Sequence, residues 1–121
     1  MNWTLLILAV VVVAGFILIR RSSLVSAGAA REHLGHGALV IDVRSPDEFN
    51  SGHLPGAINL PLDEIGSRLP PRVPDKNKEL LLHCLSGMRS GVARRQLRAM
   101  GYTRVFNLGS YHRARKIVSG K

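Results

Sequence analysis

The sequence is poor in cysteine, in aromatic side chains and in acids. A single cysteine, Cys84, stands among 121 residues. That excludes an intrachain disulfide framework and any Cys-x-x-Cys zinc pattern. A lone thiol that stays free fits a reducing compartment. Only one Trp, two Tyr and three Phe are present. They do not interleave with basic residues, and no nucleic-acid-binding module can be found, so nucleic acid is not an expected partner. Eight Asp and Glu face 17 Lys and Arg, for a net charge of +9. Such an excess favours small anions or anionic lipid head groups. Repeats and low-complexity tracts are absent as well, and the length suits one domain rather than two.

What is present is unevenly spread. Residues 3–19 read WTLLILAVVVVAGFILI and carry no charge. As a helix rising about 1.5 Å per residue they would extend roughly 25 Å, the short end of a membrane span. A cleaved signal peptide is the competing reading, with Ala27-Gly28-Ala29 as its cleavage site. The charges argue against it: Met1-Asn2 carries no basic side chain, whereas Arg20 and Arg21 follow the apolar run. Residues 1–21 are therefore expected to be a transmembrane anchor contacting the membrane through residues 3–19. The remaining domain, residues 22–121, is then expected to face the cytoplasm by the positive-inside rule.

Within that domain, strand and helix signals alternate. Ser26 is placed to cap a helix over 27–34 that ends at Gly35 or Gly37. The run 38–43 (ALVIDV) is a buried strand. A turn opens at Ser45-Pro46-Asp47, a loop covers 52–56, and 57–60 is a short strand. A helix over 63–69 is expected to stop at Pro70 and Pro71. Residues 80–83 form a second buried strand leading into Cys84. Ser90 is expected to cap a helix over 91–100, with Gly101 after it. Val105 and Phe106 make another short strand, and Ser110 is placed to cap a last helix over 111–118. This alternation implies an α/β fold with a mostly parallel sheet and helices on both faces.

Chemistry concentrates in His83-Cys84-Leu85-Ser86-Gly87-Met88-Arg89-Ser90. A thiol at the C-terminal end of a parallel strand lies where α/β folds bind ligands. A short loop into a helix turns its amides inward and cradles an anion. The same field lowers the pKa of a thiol and activates it as a nucleophile. Cys84 is thus the candidate catalytic residue. Leu85, Ser86, Gly87, Met88 and Arg89 are the candidate substrate-binding residues, with Arg89 able to bond a donor's oxygens. Asp42, Arg44 and Ser90 are candidate supports. His53 is read as a turn residue. His83 should point away from the thiol by strand alternation. His33 and His36 are metal-capable, but capping or exposed histidines are far commoner.

These residues resemble the rhodanese family, here a single-domain rhodanese. The resemblance rests on Asp42-Val43-Arg44 with Pro46-Asp47-Glu48-Phe49, on Gly52-His53-Leu54-Pro55-Gly56-Ala57-Ile58-Asn59, and on Cys84 through Ser90. It closes with Gly101-Tyr102 and Val105-Asn107-Leu108-Gly109. It implies a five-stranded mostly parallel sheet flanked by helices, preceded here by the apolar segment. It also implies a sulfurtransferase that moves sulfane sulfur from a small anionic donor such as thiosulfate, through a Cys84 persulfide, to a thiol, cyanide or protein acceptor. Neither a metal nor an organic cofactor is implied. Two departures bear on donor choice: Leu85 stands where many members have a basic or polar residue, and Gly109-Ser110-Tyr111 replaces a pair of glycines.

Two other readings compete. A cysteine phosphatase or arsenate reductase on the same fold typically places an arginine six positions after its cysteine, whereas Arg89 is five after Cys84. The smaller cradle suits sulfur better than phosphate. The other is a persulfide carrier or membrane-tethered adaptor without rapid turnover. Retention of Cys84 and Gly87 argues against an inert adaptor and leaves the carrier open.

Overall fold

The computed structural model describes residues 2–120, with residues 20–22 described by backbone alone. Its elements in chain order are α1 (Trp3–Ser22), α2 (Ala27–Gly35), β1 (Leu39–Asp42), α3 (Pro46–Ser51), β2 (Ile58–Asn59), α4 (Ile65–Arg72), β3 (Leu80–His83), α5 (Met88–Ala99), β4 (Val105–Gly109) and α6 (Tyr111–Ser119).

Strands β1 and β3 are short apolar runs covered from both sides, the pattern expected inside a parallel sheet. They form the centre of a four-stranded sheet ordered β2-β1-β3-β4, and every pairing is parallel. The expected fifth strand is not found among the described residues. Its place beside β4 is taken by Leu24, which makes one parallel bridge to Asn107. Ser22 ends α1 and Ala27 opens α2, with Ser26 committed as the cap, so a single bridge is all the connection accommodates.

Alternation along the strands feeds two cores. Ile41, Leu80 and Leu82 pack with Ile65 and Leu69 of α4 and Ala93 and Leu97 of α5. Val40 and Leu81 face the other way, against Ala30 of α2 and Ala114 and Ile117 of α6. Each fully buried leucine or isoleucine here contributes about 1.5–3 kcal/mol relative to exposure. Helices therefore cover both faces, as expected.

After α1, four elements depart from expectation by more than one residue, the first being α3, a helix where a turn was expected. Helix α4 does not stop at Pro70 and Pro71 but includes both. Proline's fixed φ is itself helical, and the Val73 amide closes the last turn on the Leu69 carbonyl at 2.7 Å. Tyr102 Oη then holds this end by donating to the Val73 carbonyl at 2.6 Å. Helix α5 begins at Met88 rather than at residue 91, so Gly87, not Ser90, is its cap. Strand β4 continues to Gly109. The caps at Ser26 and Ser110 are found as expected, each accepting from an amide three residues on.

Helix α1 stands apart from both cores. From Trp3 to Ile19 its side chains are exposed, with only Gly15 partly covered. Among the described residues no helix is long and apolar enough to cross a membrane. The expected transmembrane helix is thus without support from the fold.

Candidate functional site

Strand β3 carries the chain to Cys84 at the C-terminal edge of the sheet, and the loop beyond it is fastened to the end of β4. The Cys84 amide donates to the Gly109 carbonyl at 3.2 Å, and the Tyr111 amide donates to the Leu85 carbonyl at 3.1 Å. Ser86 and Ser110 form an antiparallel bridge between them. Gly87 then turns the chain into α5 with φ 96° and ψ −5°. That left-handed conformation suits glycine because it has no Cβ. It aims the Gly87 amide back at Cys84 Sγ, 3.0 Å away.

Ser90 comes round on the first turn of α5. Its Oγ lies 3.6 Å from Cys84 Sγ and 3.2 Å from the Gly87 carbonyl oxygen. One hydroxyl proton can serve either acceptor. Burial pushes the Cys84 thiol up, but bonds from the Ser90 hydroxyl and from the Ser90, Gly87 and Ser86 amides outweigh it. The thiol is left below its ordinary pKa. Cys84 itself has no exposed area, whereas Leu85 is 59% and Met88 62% exposed. The sulfur thus lies at the floor of a polar cradle with an apolar lip.

The other expected residues fall into place around this centre. Arg89 is held in a two-pronged pair with Glu48, at 2.7 and 3.0 Å. That pair drops the Glu48 carboxyl to about 2, chiefly through the Arg89 hydrogen bond, and raises Arg89. Glu48 also completes a capping box with Ser45 at the start of α3. A cleft of about 270 Å³ opens beside Arg89, lined by Val43, Ser45, Pro61, Leu62 and Asp63.

Asp42 and Arg44 form a buried pair closed at 2.7 Å. Arg44 also donates to the Gly52 carbonyl at 2.7 Å and lies 4.6 Å from the centre of the Tyr111 ring. They brace the loop after α3 rather than touch the thiol. His83 points to the α6 face, 5.8 Å from the Tyr111 ring. Its Nδ1 meets the Cys84 carbonyl at 3.2 Å. Burial pushes His83 down and keeps it neutral, despite Asp42 nearby. His53 bonds the Phe49 carbonyl at 2.9 Å, as a turn residue does.

Sequence reasoning missed two members of the site. Asn107, almost wholly buried, donates to the Gly87 carbonyl at 3.2 Å and accepts from the Gly109 amide at 2.9 Å. It ties the cradle glycine to the end of β4. Glu48 was visible only within the motif Pro46-Asp47-Glu48-Phe49, which gives no hint of Arg89. The arrangement as a whole can hold a thiolate and an anion attached to it.

The Rhodanese-like domain family matches residues 26–113. Thiosulfate sulfurtransferase PspE of Escherichia coli is 46% identical over 69 residues, covering 57% of this chain and 66% of its own length. YqhL, an uncharacterised Bacillus subtilis protein, is 42% identical over 71 residues, covering 59% of this chain and 55% of its own. The chain thus spans less than two thirds of the length of these two curated relatives. Among solved structures, a human single-domain sulfurtransferase superposes with a TM-score of 0.67 at 33% identity, covering 76% of this chain and 94% of that one.

Proposed function

The chain belongs to the rhodanese-like domain family, and from that premise we propose that it is a sulfurtransferase working through a persulfide on Cys84. The observation that carries this reading is the Gly87 amide 3.0 Å from Cys84 Sγ. A donor aimed at that sulfur favours the thiolate, the form that attacks sulfur.

The reaction takes two steps. The Cys84 thiolate attacks the outer sulfur of a donor such as thiosulfate. A new S–S bond forms on Cys84, the donor's S–S bond breaks, and sulfite leaves with its electron pair. The resulting persulfide anion is stabilised by the amides of Ser86, Gly87 and Ser90. A thiolate or cyanide then attacks the terminal sulfur and returns Cys84 as thiolate. Ser90 and Asn107 are positioning residues that hold the cradle closed. Only residues 85–87 separate Cys84 from α5, which leaves a cradle small for a tetrahedral phosphate.

One observation favours a carrier that loads readily but turns over slowly with small acceptors. Arg89 is already engaged by Glu48, and the lip beside it is apolar Leu85 and Met88. A protein acceptor covers such a lip better than a small anion does. Thiocyanate formation from thiosulfate and cyanide tests the enzyme. Steady turnover that disappears in Cys84→Ser supports it, and turnover that survives the substitution overturns the assignment.

Residues 1–21 are read as a membrane anchor and 22–121 as the transferase domain. Support comes from the sequence, in the uncharged run at residues 3–19. Arg20 and Arg21 after the run favour a domain on the cytoplasmic side. Flotation of the chain with lipid vesicles checks the attachment. A chain left at the bottom of the gradient removes it.

A further inference from the structure

At the opposite end of the sheet from Cys84, His33, His36 and Glu79 bring three ligand atoms within 4.8 Å of one another. Glu79 immediately precedes β3 and Cys84 immediately follows it. At about 3.3 Å per residue the two ends lie roughly 16 Å apart. The cluster therefore belongs to no part of the sulfur-transfer site.

Its geometry is partly built. His33 Nδ1 lies 2.6 Å from Glu79 Oε2, and His36 Nδ1 lies 3.7 Å from Glu79 Oε1. The His33 ring is stacked on Phe106 with centroids 4.2 Å apart, and its side chain is only 16% exposed. Glu79 is 12% exposed, and Arg104 holds its Oε1 at 3.1 Å. His36, the C-cap of α2, is 57% exposed and free to swing.

We propose that His33, His36 and Glu79 form a surface site for a zinc-like divalent cation, with water as the fourth ligand. A tetrahedral ion with bonds of about 2.0–2.2 Å needs its ligand atoms roughly 3.3–3.5 Å apart. The His33–Glu79 Oε2 contact must open by several tenths of an ångström, and the exposed His36 ring, now nearest Oε1, must turn toward the same oxygen. Two imidazoles and one carboxylate suit zinc and later first-row ions better than magnesium or calcium. The Arg104 bond to Oε1 leaves Oε2 for the metal and orients the carboxylate from behind. Binding would fasten the end of α2 to the start of β3.

The test uses the full, untagged chain carrying Cys84→Ser, because a thiolate binds zinc by itself. Zinc chloride is titrated in competition with a chromogenic chelator. One bound equivalent is expected, with affinity reduced at least tenfold by adding His36→Ala or Glu79→Gln, and with no competition from magnesium. Since His36 is exposed, His36→Ala in the otherwise native chain should load sulfur on Cys84 as before. A Cys84→Ser chain that takes no zinc from the chelator, or a His36→Ala variant of unchanged affinity, overturns the proposal.

Discussion

Replacing Gly87 by alanine attacks the cradle at one atom. An added Cβ would lie 3.1 Å from Gly109 Cα and 3.2 Å from its carbonyl carbon, at a residue whose φ is +96°. The left-handed backbone alone costs a side chain about 1–2 kcal/mol. Both contacts are with backbone that is itself bonded to Asn107 and Cys84, so neither can yield cheaply, and overpacking adds about 1–3 kcal/mol. The sum, about 2–5 kcal/mol, is a large share of a typical stability of about 5–15 kcal/mol. Gly101→Ala is the control: its φ is +102° but nothing lies within 4 Å of its added Cβ. It should cost only the backbone part. Urea unfolding of both variants, in a mild detergent, gives the comparison directly. Gly87→Ala should exceed Gly101→Ala by about 1–3 kcal/mol. It should also push the Gly87 amide off the sulfur and return Cys84 toward its ordinary pKa. Equal destabilisation together with an unchanged thiol would refute the steric account of the cradle.

Other expectations follow from the hydrogen bonds around the thiol. Cys84 titrates below its ordinary value, so its alkylation by iodoacetamide should stay fast as pH is lowered below about 8.5 and fall only through the lowered value. The linked stability has the same sign: it is present above the unfolded pKa and lost as pH falls through the folded one. Ser90→Ala should move the alkylation profile to higher pH, and a profile that does not move would take Ser90 out of the cradle. The Glu48 carboxyl, held at about 2, should contribute stability above the unfolded value of about 4.3 and lose it as pH falls toward 2. Because Arg89 and Glu48 are 36% and 31% exposed, that contribution is below about 1 kcal/mol. Glu48→Gln should flatten acid unfolding over this window and, by freeing Arg89, lower the KM for thiosulfate; an unchanged KM would mean Arg89 does not meet the donor.

The sequence was most readable where physics is local. The run from Leu80 to His83 is apolar enough to be buried on both sides, so it put Cys84 at the C-terminal edge of a parallel sheet. Ser26 and Ser110 announced their helices because a cap bonds an amide three residues away. The left-handed turn at Gly87 was only half legible: glycine signals freedom, not which way the chain goes, and Ser90 offered a plausible cap one turn too late. Contacts between distant residues left no local mark. Arg89 and Glu48 are 41 positions apart, and Asn107 and Gly87 are 20. The end of α4 after the prolines at 70 and 71 is tied by Tyr102, from the loop between α5 and β4. The missing fifth strand follows from the closeness of α1 and α2, a spacing that the family resemblance overrode.

The central claim is that Cys84, held as thiolate by the loop amides, accepts one sulfur atom and keeps it as a persulfide. Intact-mass measurement of the purified chain, with and without thiosulfate, reads this without a coupled assay. The account predicts a gain of one sulfur on Cys84, removed by cyanide and absent in Cys84→Ser. A chain whose mass does not change, or a Cys84→Ser variant that still gains the sulfur, would contradict it.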